Sequence, residues 1–321
     1  MNERMDNVYH IPAMLKETIE GLAIKPAGTY VDVTFGGGGH SRAILNKLHE
    51  LEIGKLEIGH LYSFDQDSDA LANAIDDERW TFVHSNFRYL RNWMDYYGVE
   101  HIDGLLADLG VSFHHFDCPE RGFSFRFSAP LDMRMNQTAK RTAADIVNSY
   151  SEEELARIFW LYGELKNGRG IAKNICRARA QKPIERTEEL VKSLSPILSI
   201  SEGGEIEVPT NAKKDLARLF QALRIEVNDE MGALREMLVA ARDLLKPGGR
   251  IAVLTYHSLE DRLVKNFLRS GNLEGTIEKD FYGNNLSPFE LIEKGREASD
   301  EEVAQNPRAR SAKLRIAEKK S

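Results

Sequence analysis

The chain has 321 residues, of which 42% are apolar and 29% are charged, and its formal net charge is −7. This composition is typical of a globular protein, and no apolar run is long enough to span a membrane. The N-terminal stretch lacks the apolar core of a secretory signal, and the two cysteines, Cys118 and Cys176, form no cluster with metal-ligand spacing. We therefore expect a cytoplasmic protein without structural disulfides or a bound metal.

The acidic net charge by itself argues against a nucleic-acid partner, but two stretches depart from it. Residues 166–186 carry seven basic side chains against one acidic, and residues 308–321 carry six against one. Such stretches suit an RNA-binding surface, and they also suit solvated helix faces and a C-terminal tail. For a charge cluster alone the second interpretation is the commoner one, and both stay open.

The first third of the chain alternates strand and helix patterns. Short apolar strands are predicted at 30–33, 61–64, 81–84 and 104–107, with helical stretches at 69–75 and 89–97 between them. Alternation of this kind predicts a parallel sheet with helices on both faces.

From about residue 117 to residue 211 the pattern is helical, without a strand-like period. Ser151 and Glu154 form a capping box ahead of an apolar stripe, and Thr187 begins a second helix. We therefore predict a discontinuous α/β domain of residues 1–116 and 212–321, interrupted by a helical domain of residues 117–211.

The alternation of strand and helix resumes after the insertion. A helix is predicted from about Asn228 to the Pro-Gly-Gly at 247–249, followed by a strand at 250–255 and a helix with Ser258 as its N-cap. The final strands are predicted at 276–282 and 312–316, with a loop between them.

The most informative stretch is Asp-Val-Thr-Phe-Gly-Gly-Gly-Gly-His at 32–40, which follows the first predicted strand and continues into a helix. In open parallel sheets, ligands bind beyond the carboxyl ends of the strands, and glycines there let the backbone approach a ligand. The charge of Asp32 would repel a pyrophosphate and would suit a positively charged cofactor such as S-adenosylmethionine. Asp65, at the end of the second strand, is placed to accept both ribose hydroxyls.

Two further side chains stand at strand ends. Phe87 follows the third strand, where an aromatic ring can cover an adenine, and Asp108 ends the fourth strand, nearest to a transferred group. A nicotinamide-binding Rossmann domain is the main competing interpretation. Against it, Ser41 stands where the G-x-G-x-x-G pattern requires glycine or alanine.

Several sequence boxes, taken together, resemble one family closely, the bacterial small-subunit (16S) ribosomal RNA cytosine-N(4) methyltransferases. The resemblance covers nearly the whole chain. The boxes are YHIPAML at 9–15, DVTFGGGGHS at 32–41, DLGVS at 108–112, ERGFSF at 120–125, PLDMRM at 130–135, FQALRI at 220–225, HSLEDR at 257–262 and NPRARS at 306–311.

The resemblance implies a class I methyltransferase fold, Rossmann-like with a mostly parallel seven-stranded sheet, and an inserted all-helical domain for RNA recognition. It implies transfer of a methyl group from S-adenosylmethionine to the exocyclic N(4) amine of a cytidine in the decoding region. The family's cofactor ligands fall on Gly38, Gly39, His40, Asp65, Phe87, Asp108 and His115. His115 replaces the usual glutamine and Phe113 the usual serine, so this loop departs from the family pattern.

The chemistry suggests roles for the remaining box residues. Asp108 is the best-placed acceptor for the hydrogens of the amine, and His257 is a second catalytic candidate, with a helix-start network as the alternative. Extrusion of the target base suggests stacking on Phe123 and Phe125, although core packing explains these rings equally well. Phosphate contacts are predicted for Arg121, Arg134, Arg308 and Arg310.

The predicted partner is small-subunit ribosomal RNA, within an assembled or nearly assembled subunit, and the enzyme is expected to be a monomer or a homodimer without a membrane partner. Two other functions stay open on the sequence alone. One is a nicotinamide-dependent oxidoreductase, and the other is a non-catalytic ribosome assembly factor that keeps the fold.

Overall fold

The structure, a computed structural model, describes residues 12–52, 54, 57–110, 118–198 and 209–321. The chain divides into two compact units, which we call the sheet unit and the helical unit. The sheet unit comprises Met1–Gly110 and Met231–Ser321, and the helical unit comprises Val111–Glu230.

The sheet unit is built on seven strands. They are β1 (Thr29–Asp32), β2 (His60–Asp65), β3 (Trp80–His84), β4 (Ile102–Asp108), β5 (Leu245–Thr255), β6 (Phe289–Glu297) and β7 (Lys313–Lys319). Their order in the sheet is β3-β2-β1-β4-β5-β7-β6, with β1 to β5 parallel and β7 antiparallel to both of its neighbours. This confirms the predicted mostly parallel, seven-stranded α/β fold.

Both faces of the sheet carry helices of the same unit. These are α1 (Leu15–Leu22), α2 (Gly39–Glu52), α3 (Leu90–Tyr96), α10 (Glu230–Leu244), α11 (Ser258–Ser270) and α12 (Asp300–Gln305). The central strands bury both faces, because successive side chains point to opposite sides. Val31 and Leu105 pack in a cluster with Met237, whereas Tyr30 and Leu106 pack in a different one. The near-continuous apolar runs of these strands follow from this double burial.

The helical unit contains α4 (Ala143–Ser149), α5 (Glu152–Gly163), α6 (Gly168–Arg179), α7 (Thr187–Ser193), α8 (Ser195–Leu198) and α9 (Thr210–Asn228). The predicted capping box is present: the Ser151 hydroxyl accepts from the Glu154 N–H at 3.2 Å, and the Glu154 carboxylate accepts from the Ser151 N–H at 2.8 Å. Behind it, Leu155, Ile158 and Phe159 are fully buried in the core of this unit.

The limits of the helical unit differ from the predicted 117–211, because α9 belongs to it. Leu216, Leu219 and Leu223 of α9 are buried in the same cluster as the α5 side chains. Asp229, in the left-handed region at φ 47°, then ends α9 and separates it from α10. The helix predicted from about Asn228 is α10, which begins at Glu230, whereas α9 is not predicted as a separate helix.

One predicted helical stretch is a 3₁₀ helix, one predicted strand is wrong, and one strand escaped prediction. The stretch 69–75 forms a short 3₁₀ helix at Ser68–Asn73, and 276–282 contributes only an isolated bridge between Lys279 and Asn285. Strand β6 lies in the stretch predicted as a loop. It is an edge strand whose outward positions alternate with only partly buried ones, so its hydrophobic period is weak. Among the described helices, none is both long and apolar enough to cross a membrane.

A buried ion pair joins the end of α2 to the start of β3. The Glu52 carboxylate, 0% exposed, pairs with Arg79 at 2.7 Å and accepts from the backbone N–H groups of Ala27 and Gly59, each at 2.7 Å. Four segments of the sheet unit are therefore tied to one side chain. Such charge-assisted bonds are stronger than neutral ones and are costly to lose in a buried place.

We expect Glu52→Gln to lower the free energy of unfolding by about 2 to 3 kcal/mol, because the amide keeps the shape but leaves the Arg79 charge uncompensated. Chemical denaturation measures the change. The matched control is Glu50→Gln in the same helix, whose exposed pair with Lys47 at 2.9 Å should contribute almost nothing. Equal effects of the two substitutions would contradict the assignment.

Candidate active site at the carboxyl edge of the sheet

Four neighbouring parallel strands end at one edge of the sheet and deliver polar side chains there. Asp32 pairs in register with Ser63 of β2 and with Leu106 of β4, while Asp108 pairs with Leu254 of β5. The order of the strands reverses at β1, which makes this edge the place where open α/β sheets bind ligands. The predicted residues Asp65 and Asp108 therefore meet around the turn that follows β1.

That turn is held in shape by side chains from around it. Arg42 donates to the Gly37 carbonyl at 2.7 Å and to the Asn73 carbonyl at 2.7 Å, and the Asn73 amide donates to the Gly36 carbonyl at 3.1 Å. Gly36 and Gly38 have positive φ values of 50° and 75°. The turn thus needs glycine for its backbone conformation.

The glycines also differ in what surrounds them. A Cβ on Gly39 would lie 2.3 Å from the Pro12 ring, so close packing excludes a side chain there. A Cβ on Gly36 would meet no atom of the described residues within 4 Å. Within that part of the chain the side of the turn at Gly36 is open, and helix α2 begins directly behind it with backbone N–H groups that the helix itself leaves without partners. These two properties suit an anionic group of a ligand.

Asp32 supports the turn from inside the protein. Its side chain, 1% exposed, accepts from the Ser41 hydroxyl at 2.6 Å and from the Thr34 N–H at 3.0 Å. Burial raises the pKa of this carboxyl, and the Ser41 bond opposes that rise. From the sequence, the Asp32 charge is expected to face a ligand, whereas in the structure the carboxylate is engaged by its own loop and by the first turn of α2.

Asp65 connects β2 to the glycine turn. One carboxylate oxygen accepts from the Gly36 N–H at 2.8 Å, and the other accepts from the Asp67 N–H at 2.9 Å. The side chain is half-buried, and a carboxylate has about four lone-pair positions, so each oxygen can accept a further hydrogen bond. The ribose contact predicted for Asp65 stays a prediction.

Phe87 begins the short 3₁₀ turn after β3. Asn86 caps this turn by accepting from the Arg88 N–H at 3.0 Å, and its amide donates to Gln66 at 2.8 Å. The Phe87 ring is partly buried against the core. The short turn therefore fixes the orientation of the partly exposed Phe87 ring, close to the carboxyl end of β2.

Asp108 is surrounded by hydrogen-bond donors. Its backbone N–H donates to the Thr34 hydroxyl at 2.7 Å, and its carboxylate accepts from the Gly110 N–H at 3.3 Å and from the Tyr256 hydroxyl. Burial, and then the Asp108 charge, raises the pKa of Tyr256 well above its ordinary value. The phenol therefore keeps its proton at neutral pH and remains a donor to Asp108.

His40 lies beneath the turn. Its ring is 6% exposed, with Nε2 3.2 Å from the Ala13 carbonyl and Nδ1 3.7 Å from the Asp108 carboxylate. Because a carbonyl only accepts, Nε2 carries a hydrogen and donates it to the Ala13 carbonyl. The side chain therefore ties the start of α2 to residue 13, and the cofactor contact predicted for His40 stays a prediction.

The box at 257–262 fixes the chain reversal after β5. His257 is the N-cap of α11, one residue earlier than the predicted Ser258: its Nδ1 accepts from the Glu260 N–H at 3.4 Å, and Glu260 accepts from the Tyr256 N–H at 2.9 Å. Asp261 forms a two-pronged ion pair with Arg315 of β7, at 2.7 and 3.1 Å. The helix-start network thus accounts for this box, and a catalytic role for His257 stays a prediction.

The predicted RNA contacts in the helical unit are engaged internally. Arg121 donates to the carbonyls of residues 134 and 135 at 2.9 and 3.1 Å, and Arg134 pairs with Asp132 at 2.7 Å. Phe123 is 4% exposed in the core, and Phe125 packs edge-on against Phe220 at 5.6 Å. These positions favour structural roles for all four residues.

Arg308 and Arg310 are different, because both are exposed on the 3₁₀ turn Pro307–Ser311 of the sheet unit.

Some predicted site residues lie outside the described residues. These are His115, Phe113 and the part of the N-terminal box from residue 9 to residue 11. Their predicted roles are not addressed by the structure.

Four supporting residues escaped the sequence analysis: Thr34, Arg42, Asn73 and Tyr256. Tyr256 directly follows β5, so the rule that selected Asp65 and Asp108 could have found it. Thr34 stands two residues after Asp32, the spacing of a local side-chain turn. Arg42 and Asn73 act on backbone carbonyls, and no sequence pattern marks such contacts.

A seven-stranded, mostly parallel sheet with a glycine turn after β1 and carboxylates ending β2 and β4 defines a class I methyltransferase. A family model described as the MraW methylase family matches residues 7–320. The chain belongs to this family, and the nicotinamide oxidoreductase and assembly-factor interpretations have no support from it.

Curated relatives match along their whole length. Proteins named "Ribosomal RNA small subunit methyltransferase H" are 57% identical over 314 residues in Phocaeicola vulgatus, covering 98% of both chains, and 58% identical over 319 residues in Parabacteroides distasonis, covering 99% of both. The solved structure of an rRNA methylase from Streptococcus thermophilus covers 96% of this chain and 94% of its own, with a TM-score of 0.40 at 12% identity. That likeness is too low to add to the topology itself.

We expect Thr34→Val to lower the free energy of unfolding by about 1 to 3 kcal/mol, because the substitution keeps the shape but leaves the Asp108 N–H without its acceptor. Thermal or urea denaturation measures the change. Thr18→Val is the matched control, since the fully buried Thr18 hydroxyl has no hydrogen-bond partner within the described part of the chain. A loss at position 18 as large as that at position 34 would refute the role given to Thr34.

Proposed function

We propose that this protein transfers a methyl group from S-adenosylmethionine to the N(4) amine of a cytidine in the decoding region of small-subunit ribosomal RNA. The observation that carries the proposal is the whole-length identity of 51–58% to proteins named as small-subunit rRNA methyltransferases. The edge of the sheet supports it as well, because the glycine turn, Asp65 and Asp108 lie together where open parallel sheets bind ligands.

The residues at the edge suit this cofactor in order along the sheet. Asp65 would hold the ribose hydroxyls, with Phe87 near the base, and the backbone of Gly38, Gly39 and the start of α2 would hold the carboxylate of the methionine portion. When bound, S-adenosylmethionine supplies an electrophilic methyl group on a positively charged sulfur. Asp108 then lies on the strand nearest to the acceptor.

The N(4) amine of cytosine is a poor nucleophile, because its lone pair is delocalised into the ring. An acceptor for the amine hydrogens would favour the reactive geometry and stabilise the positive charge that develops on nitrogen. Asp108 can serve as this acceptor, since Tyr256 and Gly110 fix its carboxylate while leaving lone pairs available. Orientation by such fixed groups lowers the barrier. The methylated amine is a strong acid that can lose its extra proton to water, so a dedicated base need not exist.

The helical unit is proposed to recognise the RNA. Its helix α6 buries Ile171, Ala172 and Ile175, and the opposite face carries the exposed basic side chains Arg169, Lys173 and Arg177. Their spacing of four residues aligns the three charges in one stripe. A stripe of this kind fits the phosphate backbone of RNA. We propose that this RNA is part of an assembled or nearly assembled small ribosomal subunit in the cytoplasm.

We expect Asp65→Ala to raise the dissociation constant for S-adenosylmethionine at least about 100-fold, because two charge-assisted bonds to ribose are lost. Isothermal calorimetry measures the constant, and NAD serves as the ligand for the alternative function. Asp76→Ala, an exposed carboxylate in the same region, is the control. An unchanged constant for the Asp65 variant would remove Asp65 from the cofactor site.

Deletion of the gene should abolish one N(4)-methylated cytidine in small-subunit RNA. Mass spectrometry of the RNA detects the loss, and the wild-type gene, but not the Asp65→Ala variant, should restore the modification. Intact methylation in the deletion strain would overturn the substrate assignment while leaving the cofactor assignment testable by calorimetry.

A further inference from the structure

A cavity of about 360 Å³ opens beside the active-site edge, within the sheet unit. It is lined by Thr255, Tyr256, His257, Ser258, Asp261, Arg262, Lys265, Ser311 and Lys313. Three segments form it: the end of β5, one face of α11 and the junction between the Pro307–Ser311 turn and β7. Neither the cofactor elements nor the helix-cap network explains why basic side chains gather there.

The arrangement follows from helix and strand geometry. Ser258, Asp261, Arg262 and Lys265 are spaced three, four and seven residues apart, so they share one face of α11. Lys313 reaches the same space from the first position of β7, which lies next to β5 in the sheet. The cavity therefore collects cations from two elements that are far apart in sequence.

The charges in the cavity are predominantly positive. Asp261 is the one acidic side chain among the described residues that line the cavity, and its charge is already compensated by the two-pronged ion pair with Arg315. Among the described residues, Lys265 is exposed and forms no ion pair, and Lys313 pairs with the exposed Glu297 at 3.0 Å and with no other carboxylate. An exposed pair of this kind contributes little, so Lys313 can exchange Glu297 for another anion.

The position of the cavity links it to the reaction. Tyr256 lines the cavity and also donates its hydroxyl to Asp108, so a single side chain separates the two places. Arg308 and Arg310 stand exposed on the turn that supplies Ser311. A strand of nucleic acid whose base reaches Asp108 would carry its backbone past this group of cations.

We propose that the cavity binds a phosphodiester group of the substrate RNA close to the methylated nucleotide, through Lys265 and Lys313 with the hydroxyls of Ser258 and Ser311. This inference rests on the proposed function and deepens it, because it assigns a substrate-positioning site that lies outside the cofactor elements. Lysine ammonium groups and hydroxyl donors are the partners that phosphate oxygens accept from.

The test uses the full-length protein with small subunits purified from the gene-deletion strain. The double variant Lys265→Gln with Lys313→Gln is compared with Lys16→Gln, which removes an exposed charge on α1 of the same unit. Binding to subunits is measured at several salt concentrations, and S-adenosylmethionine binding is measured by calorimetry. Kinetics of methylation give KM and kcat separately.

We expect the double variant to weaken subunit binding and raise KM about 10-fold or more, and to reduce the slope of log K against log salt by about 1 to 2. Its kcat and its affinity for S-adenosylmethionine should stay near wild-type values, and Lys16→Gln should change nothing. Protein-free 16S RNA as a second probe should show the same loss.

Three outcomes would overturn the inference. The double variant could match Lys16→Gln in binding and salt slope; it could lose cofactor affinity, which would place the cavity in the cofactor site; or it could weaken binding to subunits but not to protein-free RNA, which would indicate a ribosomal protein contact. Absence of methylation by the wild-type enzyme would refute the proposed function instead, and the binding measurements would still decide the cavity.

Discussion

The hydroxyl of Thr34 is the contact on which the active-site edge depends. It accepts from the backbone of Asp108 at 2.7 Å and lies 3.3 Å from the Asp32 carboxylate, to which it donates. One side chain therefore joins the turn after β1 to the end of β4. Through Asp32 the same network reaches Ser41 and Ser63, at 2.6 and 2.8 Å in turn, so the first turn of α2 and strand β2 share it.

This network explains why a carboxylate is buried so close to a ligand site. Burial of a charged group is costly unless hydrogen bonds compensate it, and Asp32 receives them from Thr34 and Ser41. The compensation works only when β1, the turn and α2 are in their native arrangement. The buried carboxyl group thus couples the conformation of the turn to the fold of the sheet, and the glycines themselves could not impose that conformation.

Much of the fold could be predicted from the sequence, because its signals are local. Strands β1 to β5 are short apolar runs bounded by turn residues, and the Ser151 capping box marks α5. Strand β6 could not be predicted, since an edge strand buries too little to show a period. The extent of the helical unit depends on the packing of α9 against α5, a contact between distant segments that no local pattern reports.

The candidate site divides in a similar way. Asp65 and Asp108 could be predicted, because they end parallel strands and so meet at one edge. The internal roles of Arg121 and Arg134 could not, since a surface arginine that binds carbonyls and one that binds phosphate look alike in sequence. The family resemblance identifies which sequence boxes a residue belongs to. The hydrogen-bond distances in the structure then distinguish residues that stabilise the fold from residues that can still contact a ligand.

The bracing of the glycine turn has a consequence for how a ligand is received. Arg42, Asn73 and Asp65 hold the Gly36 and Gly37 peptide groups from three directions through contacts internal to the protein. The conformational entropy of this segment is consequently lost during folding and not during association. A ligand that enters such a preorganised cradle retains more of its interaction energy as affinity, because it does not have to order this turn.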